Sequence, residues 1–368
     1  MNKTRETVLE IDLKALEHNY RYLAAKVNES VKKLAVIKAF AYGSDSVVLA
    51  KKLESLEVDY FAVAYTQEGI ALRDGGITKP ILVLHPQSTH FQEIIDRCLT
   101  PSIYSEFVLN YFIASAEANK QKDYPIHLKL NTGLNRLGFD ADEVSLIIQK
   151  LKQTSSIKVD GIFSHFAASE DSKEKEFTQH QIDTFKKVSD QFIEGLGYHP
   201  LRHLCNTSGI LNYPEAHFDM VRTGIGLYGY GNSQEVDQQL IPVGTLKTII
   251  SQIHHIKKGE SVGYNRVFKA AKDTKTATLP LGHADGINRI YGKQKTNVSI
   301  NGHLAPIIGN VCMDMIMIDI TGIDCQEGDE VILFGKEKSA EEFAHNAGTI
   351  SYELITSISQ RVRRKIIE

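Results

Sequence analysis

Eight short apolar runs, separated by polar or helically spaced residues, constrain this chain more than any other feature. They are LAVIKAF (34–40), DYFAVAY (59–65), PILVLH (80–85), LTPSIY (99–104), IHLKLN (126–131), VDGIFSHF (159–166), LRHLCN (201–206) and FDMVRTGI (218–225). Each has the length and the aliphatic or aromatic content of a buried strand. Between them apolar residues recur at helical spacing, as in 46–56, 107–118, 141–151 and 174–196. Parallel strands need a crossover, usually a helix, so alternation at this count predicts a (β/α)8 TIM barrel in an α/β chain. An open doubly wound sheet would also alternate, usually with fewer strands. Ahead of the first run, Leu13, Leu16, Tyr20 and Leu23 predict a helix over 11–27, with Asp12 as its N-cap.

The pattern changes near Gly231. GNSQEVDQQ (231–239) is polar and turn-rich, and beyond it lie short runs punctuated by Gly, Asn and Asp: KTIISQIHHI, TKTATLPLG, NVSING, APIIGN, MIMIDIT and DEVILFG. Helical spacing returns over 340–346 and 352–362. The expected organisation is a barrel over 1–235 and a C-terminal mainly-β domain over 236–368. A chain of 368 residues, 42% of them hydrophobic, can bury two such cores. Its net charge of -3 gives no basic face for nucleic acid or an anionic membrane. No apolar run nears the ~20 residues of a membrane span. The opening MNKTRETVLEIDLKALEHNY is polar and then amphipathic, unlike a signal peptide. Cys98, Cys205, Cys312 and Cys325 are scattered, without metal spacing, as in a reducing compartment. A cytoplasmic protein without a bound metal is expected.

Several residues carry chemistry by type and position. Lys38 stands at the C-terminal end of the apolar Leu34-Ala-Val-Ile, in the strand-to-helix loop where barrels place reactive groups. Among apolar neighbours a lysine can be neutral and nucleophilic, although by residue type alone it is more often a snorkelling strand-end lysine. In IHLKLN, alternation puts Leu128 and Leu130 on one face and His127, Lys129 and Asn131 on the other. With the leucines toward the helices, Lys129 points into the barrel and needs a counter-charge or a modification. The loops after the seventh and eighth runs carry Asn206, Thr207, Arg222, Gly224 and Ile225, where barrels commonly bind phosphate. By type alone Arg136 is as readily solvated or structural as functional, His165 is more often a hydrogen-bonded core residue than a catalyst, and Tyr264 and Met313 normally serve packing.

The motifs add a resemblance. LAVIKAFAYGSD (34–45) resembles the pyridoxal-phosphate (PLP) lysine motif of the alanine racemases, VKANAYGHG, with Lys38, Tyr42 and Gly43 in place, Phe40 for Asn and Ser44-Asp45 for His-Gly. The segment from Lys129 to Gly138 resembles KVDTGMGRLG, with Asn131 and Asn135 replacing Asp and Gly. GIFSHFA (161–167) resembles GLFTHFA, and the two later loops resemble HxANSA and VRPGI, with Thr207 for Ser and Thr223 for Pro. The segments bearing Tyr264 and Met313 are similar to those with the family's second base and a carboxylate-binding methionine. PLGHADG (280–286) matches PIGYADG except at His283, and SYELITSISQRVRR keeps Tyr352 but has Arg363 for Pro.

The resemblance implies a PLP-dependent enzyme interconverting L- and D-alanine, supplying D-alanine for peptidoglycan. It implies PLP on Lys38, held by Tyr42, His165, Asn206, Thr207, Arg222, Gly224, Ile225 and Tyr352. Arg136 and the backbone of Met313 would hold the substrate carboxylate, and Lys129 would be open to carbamylation, giving an anion that orients Arg136. Racemisation needs an acid–base group on each face of the α-carbon; by resemblance Lys38 serves D-alanine and Tyr264 serves L-alanine. A tyrosine free in water titrates at roughly 10, so a tyrosine base needs a positive neighbour. The family is a homodimer with shared sites. Broader racemases that accept serine, PLP-dependent decarboxylases and PLP-binding proteins without turnover are the alternatives; His283 bears on the first, and the β domain with Tyr264 argues against the last.

Overall fold

The structure is a computed structural model describing residues 6–231 and 233–368. The opening MNKTR, part of the stretch read as unlike a signal peptide, and Asn232 of the expected linker lie outside the described residues.

The first strand, β1, is Val8–Asp12. The next eight form the barrel: β2 Lys32–Val36, β3 Tyr60–Val63, β4 Ile81–Val83, β5 Thr100–Ile103, β6 Tyr124–Lys129, β7 Ile157–Phe163, β8 Leu201–His203 and β9 Met220–Thr223. They run parallel and in order from β2 to β8, and β9 returns to β2 with Leu34 opposite Arg222. Between β8 and β9 the Asp219 N–H donates to the Arg202 carbonyl at 3.0 Å and the Arg222 N–H to that of Cys205 at 3.1 Å, bringing the ring round. β3 and β4 are buried at every position, as strands covered on both faces must be.

The helix Leu13–Ala24 begins at Asp12, whose side chain accepts the N–H groups of Lys14 and Ala15 at 2.9 Å. It buries Leu16, Tyr20 and Leu23 together with Asn19. That amide is satisfied: Asn19 donates to the Leu227 and Ile241 carbonyls and accepts from the Ile241 N–H.

The C-terminal part is mainly β: β10 Gly244–Ile249, β11 Gln252–Ile256, β12 Ser261–Val262, β13 Phe268–Lys269, β14 Thr274–Leu279, β15 Asn297–Ile300, β16 His303–Ile308, β17 Ile316–Asp319, β18 Glu330–Phe334 and β19 Arg363–Ile367. Nine strands form one sheet in the order β11-β14-β17-β16-β15-β18-β10-β1-β19, and β12 and β13 form a separate ribbon.

Two expectations need correction. The span 1–235 contains β1, which pairs outside the barrel, antiparallel to β10 and parallel to β19. The helix expected over 352–362 is Ser351–Ser357, followed by a turn and then β19. Both misreadings have one cause: β1 and β19 are partners from opposite ends of the chain, so neither carries a complete local signal. The polar Arg-Arg-Lys of β19 is matched across the pair, where Lys365 Nζ donates to Glu10 Oε1 at 2.9 Å. The polar stretch after Gly231 also contains a helical turn, Gln234–Asp237. No helix of the described residues is long and apolar enough to cross a membrane.

Candidate active site

Lys38 lies two residues past β2, at the start of a turn over Lys38–Gly43. Ala39, Phe40, Ala41 and Tyr42 all take left-handed φ values of 51 to 54°. That conformation costs a residue with a side chain roughly 1–2 kcal/mol, so it persists only where its surroundings hold it. At the start, Glu68 Oε1 accepts the Ala39 N–H at 2.5 Å, and the Ala41 N–H reaches the Ile37 carbonyl at 3.1 Å. At the end, Arg364 Nη2 donates to the Gly43 carbonyl at 2.7 Å. Gly43 has a φ of 83°, and a Cβ there would lie 2.0 Å from the Ile355 carbonyl oxygen. The C-terminal segment is therefore built against the turn that carries Lys38. The turn also buries Tyr42, whose ring stacks on Tyr228 at 4.4 Å.

A cavity of about 930 Å³ opens at this end of the barrel and is lined by Lys38, Tyr42, Lys129, Arg136, His165, Asn206, Thr207, Arg222, Gly224, Ile225 and Tyr352. Eleven of the residues singled out from sequence thus meet in one place. Four of them are cationic types, against one lining carboxylate among the described residues, Glu353. Burial and then Arg136 lower the Lys38 pKa, with Glu68 opposing them. Lys129 is pushed down to about 8 by burial and by Arg136, Arg222 and Lys38. Its ammonium stands 5.6 Å from the Phe163 ring centre.

Arg222 is buried, and burial brings its pKa down to about 10, still cationic at neutral pH. It donates to the carbonyls of Ser164 (2.7 Å), Leu204 (2.9 Å) and His203 (3.1 Å), to His203 Nδ1 at 2.8 Å and to His165 Nδ1 at 3.1 Å. A guanidinium only donates, so both Nδ1 atoms accept and both imidazoles are neutral. Burial and then Arg222 hold each well below the usual histidine range. His203 Nε2 then donates to His127 Nδ1 at 3.0 Å, and His127 Nε2 lies 3.8 Å from Asp160, too far for a hydrogen bond. Gly161 makes room for the His127 ring, which a Cβ would meet at 2.5 Å.

In the loops that follow β8 and β9, Thr207 Oγ1 accepts the N–H groups of Gly224 at 3.1 Å and Gly226 at 3.3 Å. A Cβ on Gly224 would stand 3.2 Å from the Tyr42 hydroxyl and 4.0 Å from Thr207 Oγ1. The Asn206 side-chain oxygen caps the helix Thr207–Asn212 through the Gly209 N–H at 2.8 Å. Arg136 rides on a loop closed by the Asn131 N–H on the Phe139 carbonyl and the Phe139 N–H on that of Lys129, both 2.9 Å.

Two expected residues are elsewhere. Tyr264 and Met313 line a second cavity of about 360 Å³ with Gly263, Cys312, Asp314, Met315 and Met317. They are 71% and 59% exposed. Tyr264 sits between β12 and β13, its carbonyl accepting from Asn310 Nδ2 at 3.2 Å. His283 is beside them, its N–H on the Cys312 carbonyl at 2.9 Å.

The sequence reading did not single out Glu68, Phe163 or His203 as site residues. Strand alternation, which placed His127 on the inner face with Lys129, was the available signal for the histidine pair. Glu68 had none, because its partners are backbone N–H groups.

Comparisons with known proteins agree with this architecture. The family profile described as "Alanine racemase, N-terminal domain" matches residues 11–232, and "Alanine racemase, C-terminal domain" matches 243–366. The chain is 39% identical to the alanine racemase of Thermodesulfovibrio yellowstonii, over 97% of each chain. Among solved structures, alanine racemase from Clostridium difficile aligns over 99% of this chain and 96% of that one, with 37% identity and a TM-score of 0.92. The Bacillus anthracis enzyme, solved with bound L-Ala-P, aligns over 100% and 96%, with 29% identity and a TM-score of 0.92. The two profiles between them span both parts of the fold, and the chain belongs to the alanine racemase family.

Proposed function

We propose that the chain interconverts L- and D-alanine with PLP carried covalently by Lys38. The observation that carries this reading is the cavity itself, where a half-buried lysine of lowered basicity shares a cation-rich space with a donor-only arginine and with Gly224. The residues fit the cofactor. A Cβ at Gly224 would enter the space beside the Tyr42 and Thr207 hydroxyls, which glycine keeps clear for a phosphate. Tyr42, Asn206, Thr207, Gly224, Ile225 and Tyr352 would hold that phosphate, His165 would support the ring, and Arg222 would face the pyridine nitrogen. When bound, PLP supplies the electron withdrawal that makes the α-hydrogen of an amino acid acidic.

The chain's own groups do the rest. Lys38 takes or returns the proton on the face used by D-alanine and Tyr264 on the face used by L-alanine. Arg136 and the Met313 N–H hold the substrate carboxylate. Arg222, cationic and already donating to five acceptors, does not hand the ring nitrogen a proton. Lys129 is surrounded by positive groups, and its lowered pKa leaves a neutral fraction. That amine can add to CO2, losing a proton to become a carbamate anion that orients Arg136.

Tyr264 and Lys38 line different cavities of one chain, and Tyr264 is exposed. A homodimer in which a second copy brings Tyr264 to Lys38 makes both complete. Cytoplasmic residence and supply of D-alanine for peptidoglycan complete the reading. Acceptance of serine is the second reading, and it bears on His283, which stands where the family has tyrosine and has its N–H on the Cys312 carbonyl.

Incubation with D-alanine should yield L-alanine and no CO2, and borohydride should fix a pyridoxyl group on Lys38. A label mapped to another lysine, or release of CO2, would remove the proposal.

A further inference from the structure

Glu68 belongs to none of the motifs that carry the site, yet it grips the turn that carries Lys38. It lies in the first turn of the helix Thr66–Asp74, after β3. Its Oε1 accepts the N–H of Ala39, the residue after Lys38, at 2.5 Å. Its Oε2 accepts the N–H groups of Ala64 and Tyr65 at 2.7 and 3.0 Å. One carboxylate thus ties together the loops that follow two adjacent barrel strands. Hydrogen bonds to an ionised acceptor are the stronger kind. This one acts on the first of the four left-handed residues, where the chain leaves its ordinary conformation.

The placement has an electrostatic side. Arg136 opposes a positive charge on Lys38, and the other lysine of the cavity, Lys129, is itself surrounded by cations. Glu68 is the carboxylate whose charge favours the ammonium form of Lys38. A lysine that takes a proton from a substrate must hold it until the opposite face delivers another, and a fixed negative charge close by helps it do so.

We propose that Glu68 is a positioning residue for Lys38, fixing the start of the left-handed turn that carries the lysine by tying the Ala39 N–H to those of Ala64 and Tyr65. The assignment rests on Lys38 being the cofactor lysine, which borohydride mapping tests by itself.

The test uses full-length protein freed of PLP, so it does not depend on turnover. Two quantities are read: hydrogen exchange at the Ala39 amide, and the pH midpoint for acylation of Lys38 by acetic anhydride, located by peptide mass. Glu68→Gln keeps the shape but turns an amide donor toward backbone N–H groups. Ala39 exchange should rise on the order of tenfold, the worth of one lost hydrogen bond, and the Lys38 midpoint should fall, since the Glu68 charge favours the ammonium form. Glu68→Asp keeps the charge on a shorter arm, so Ala39 exchange should rise while the midpoint stays near that of the unaltered protein. Unchanged exchange in either variant overturns the proposal. Faster exchange with an unmoved midpoint in Glu68→Gln overturns it as well, leaving only a structural tie. If Glu68→Gln does not fold, exchange in Glu68→Asp decides.

Discussion

His203 offers a quantitative test of the network around Arg222. It is 0% exposed, accepts from Arg222 through Nδ1 and meets His127 through Nε2. A proton on Nδ1 would set N–H against N–H, so burial and Arg222 hold the folded pKa well below 6.5. The unfolded chain takes that proton near 6.5 and the folded chain refuses it. Stability contributed by the neutral histidine is therefore full above about pH 6.5 and falls as pH drops toward the folded pKa. The slope is about 1.4 kcal/mol per pH unit for as long as the folded histidine stays neutral. His203→Asn removes the titration while leaving an oxygen near the position of Nδ1 to accept from Arg222. The variant should be less stable at pH 7.5, since it leaves a void and an unpaired His127. Urea unfolding of both PLP-free proteins, at one protein concentration and several pH values, gives the difference curve, in which titrations common to both cancel. The gap should narrow as the pH falls from 7.5 to 4.5, by up to about 1.4 kcal/mol for each unit below the unfolded pKa. A gap that stays constant across that range would show that His203 titrates normally in the folded protein, and the donor-only argument at Arg222 would fail with it.

Three further outcomes follow from the geometry. Arg222→Glu turns an acceptor toward three carbonyls and should lower stability; in the PLP-loaded enzyme, racemisation should fall while pyruvate rises as a fraction of product, and an unchanged ratio would detach Arg222 from the ring nitrogen. Gly43→Ala forces a side chain into a φ of 83° with its Cβ 2.0 Å from the Ile355 oxygen, and should cost on the order of 3 kcal/mol or more in thermal or urea unfolding; a change under about 1 kcal/mol would mean the turn is not clamped there. Refolding Lys38→Ala together with Tyr264→Phe should restore a sizeable part of the activity each lacks alone, because a mixed dimer has one site with both residues intact; verified mixed dimers without activity would refute the shared site.

The barrel was legible because each strand from β2 to β9 carries its own signal, a short apolar run bounded by turn residues. β1 and β19 were not, because each becomes a strand only by pairing with a sheet assembled from distant segments. The cavity divides in the same way. Lys38, Arg136, Arg222 and Gly224 were found through residue type and motif. The left-handed run was not: nothing in Ala-Phe-Ala-Tyr asks for positive φ, and the turn is held by Glu68, Arg364 and Ile355 from three other places in the chain. Alternation on β6 pointed His127 inward, but its contact with His203 depends on the register of β6, β7 and β8.

The departures at Asn131 and Asn135 show why substitutions in a motif are better judged as a group. Asn131 Oδ1 accepts the N–H groups of Gly133 at 3.3 Å and Asn135 at 3.1 Å. That fixes the amide orientation and turns Nδ2 toward Asp140 Oδ1 at 2.9 Å and Asn135 Oδ1 at 3.0 Å. The family's aspartate at 131 would set a carboxylate against Asp140, so in this chain the amide is the residue that satisfies both sides. Asn135 has a φ of 54°, where the family has glycine, and asparagine is the side-chain-bearing residue that tolerates this conformation well. Asn131, Asn135 and Asp140 thus form one hydrogen-bonded unit at the base of the loop that delivers Arg136 to the cavity. Taken one at a time the two asparagines look like losses from a motif; with Asp140 included, they are an alternative way to hold the same arginine.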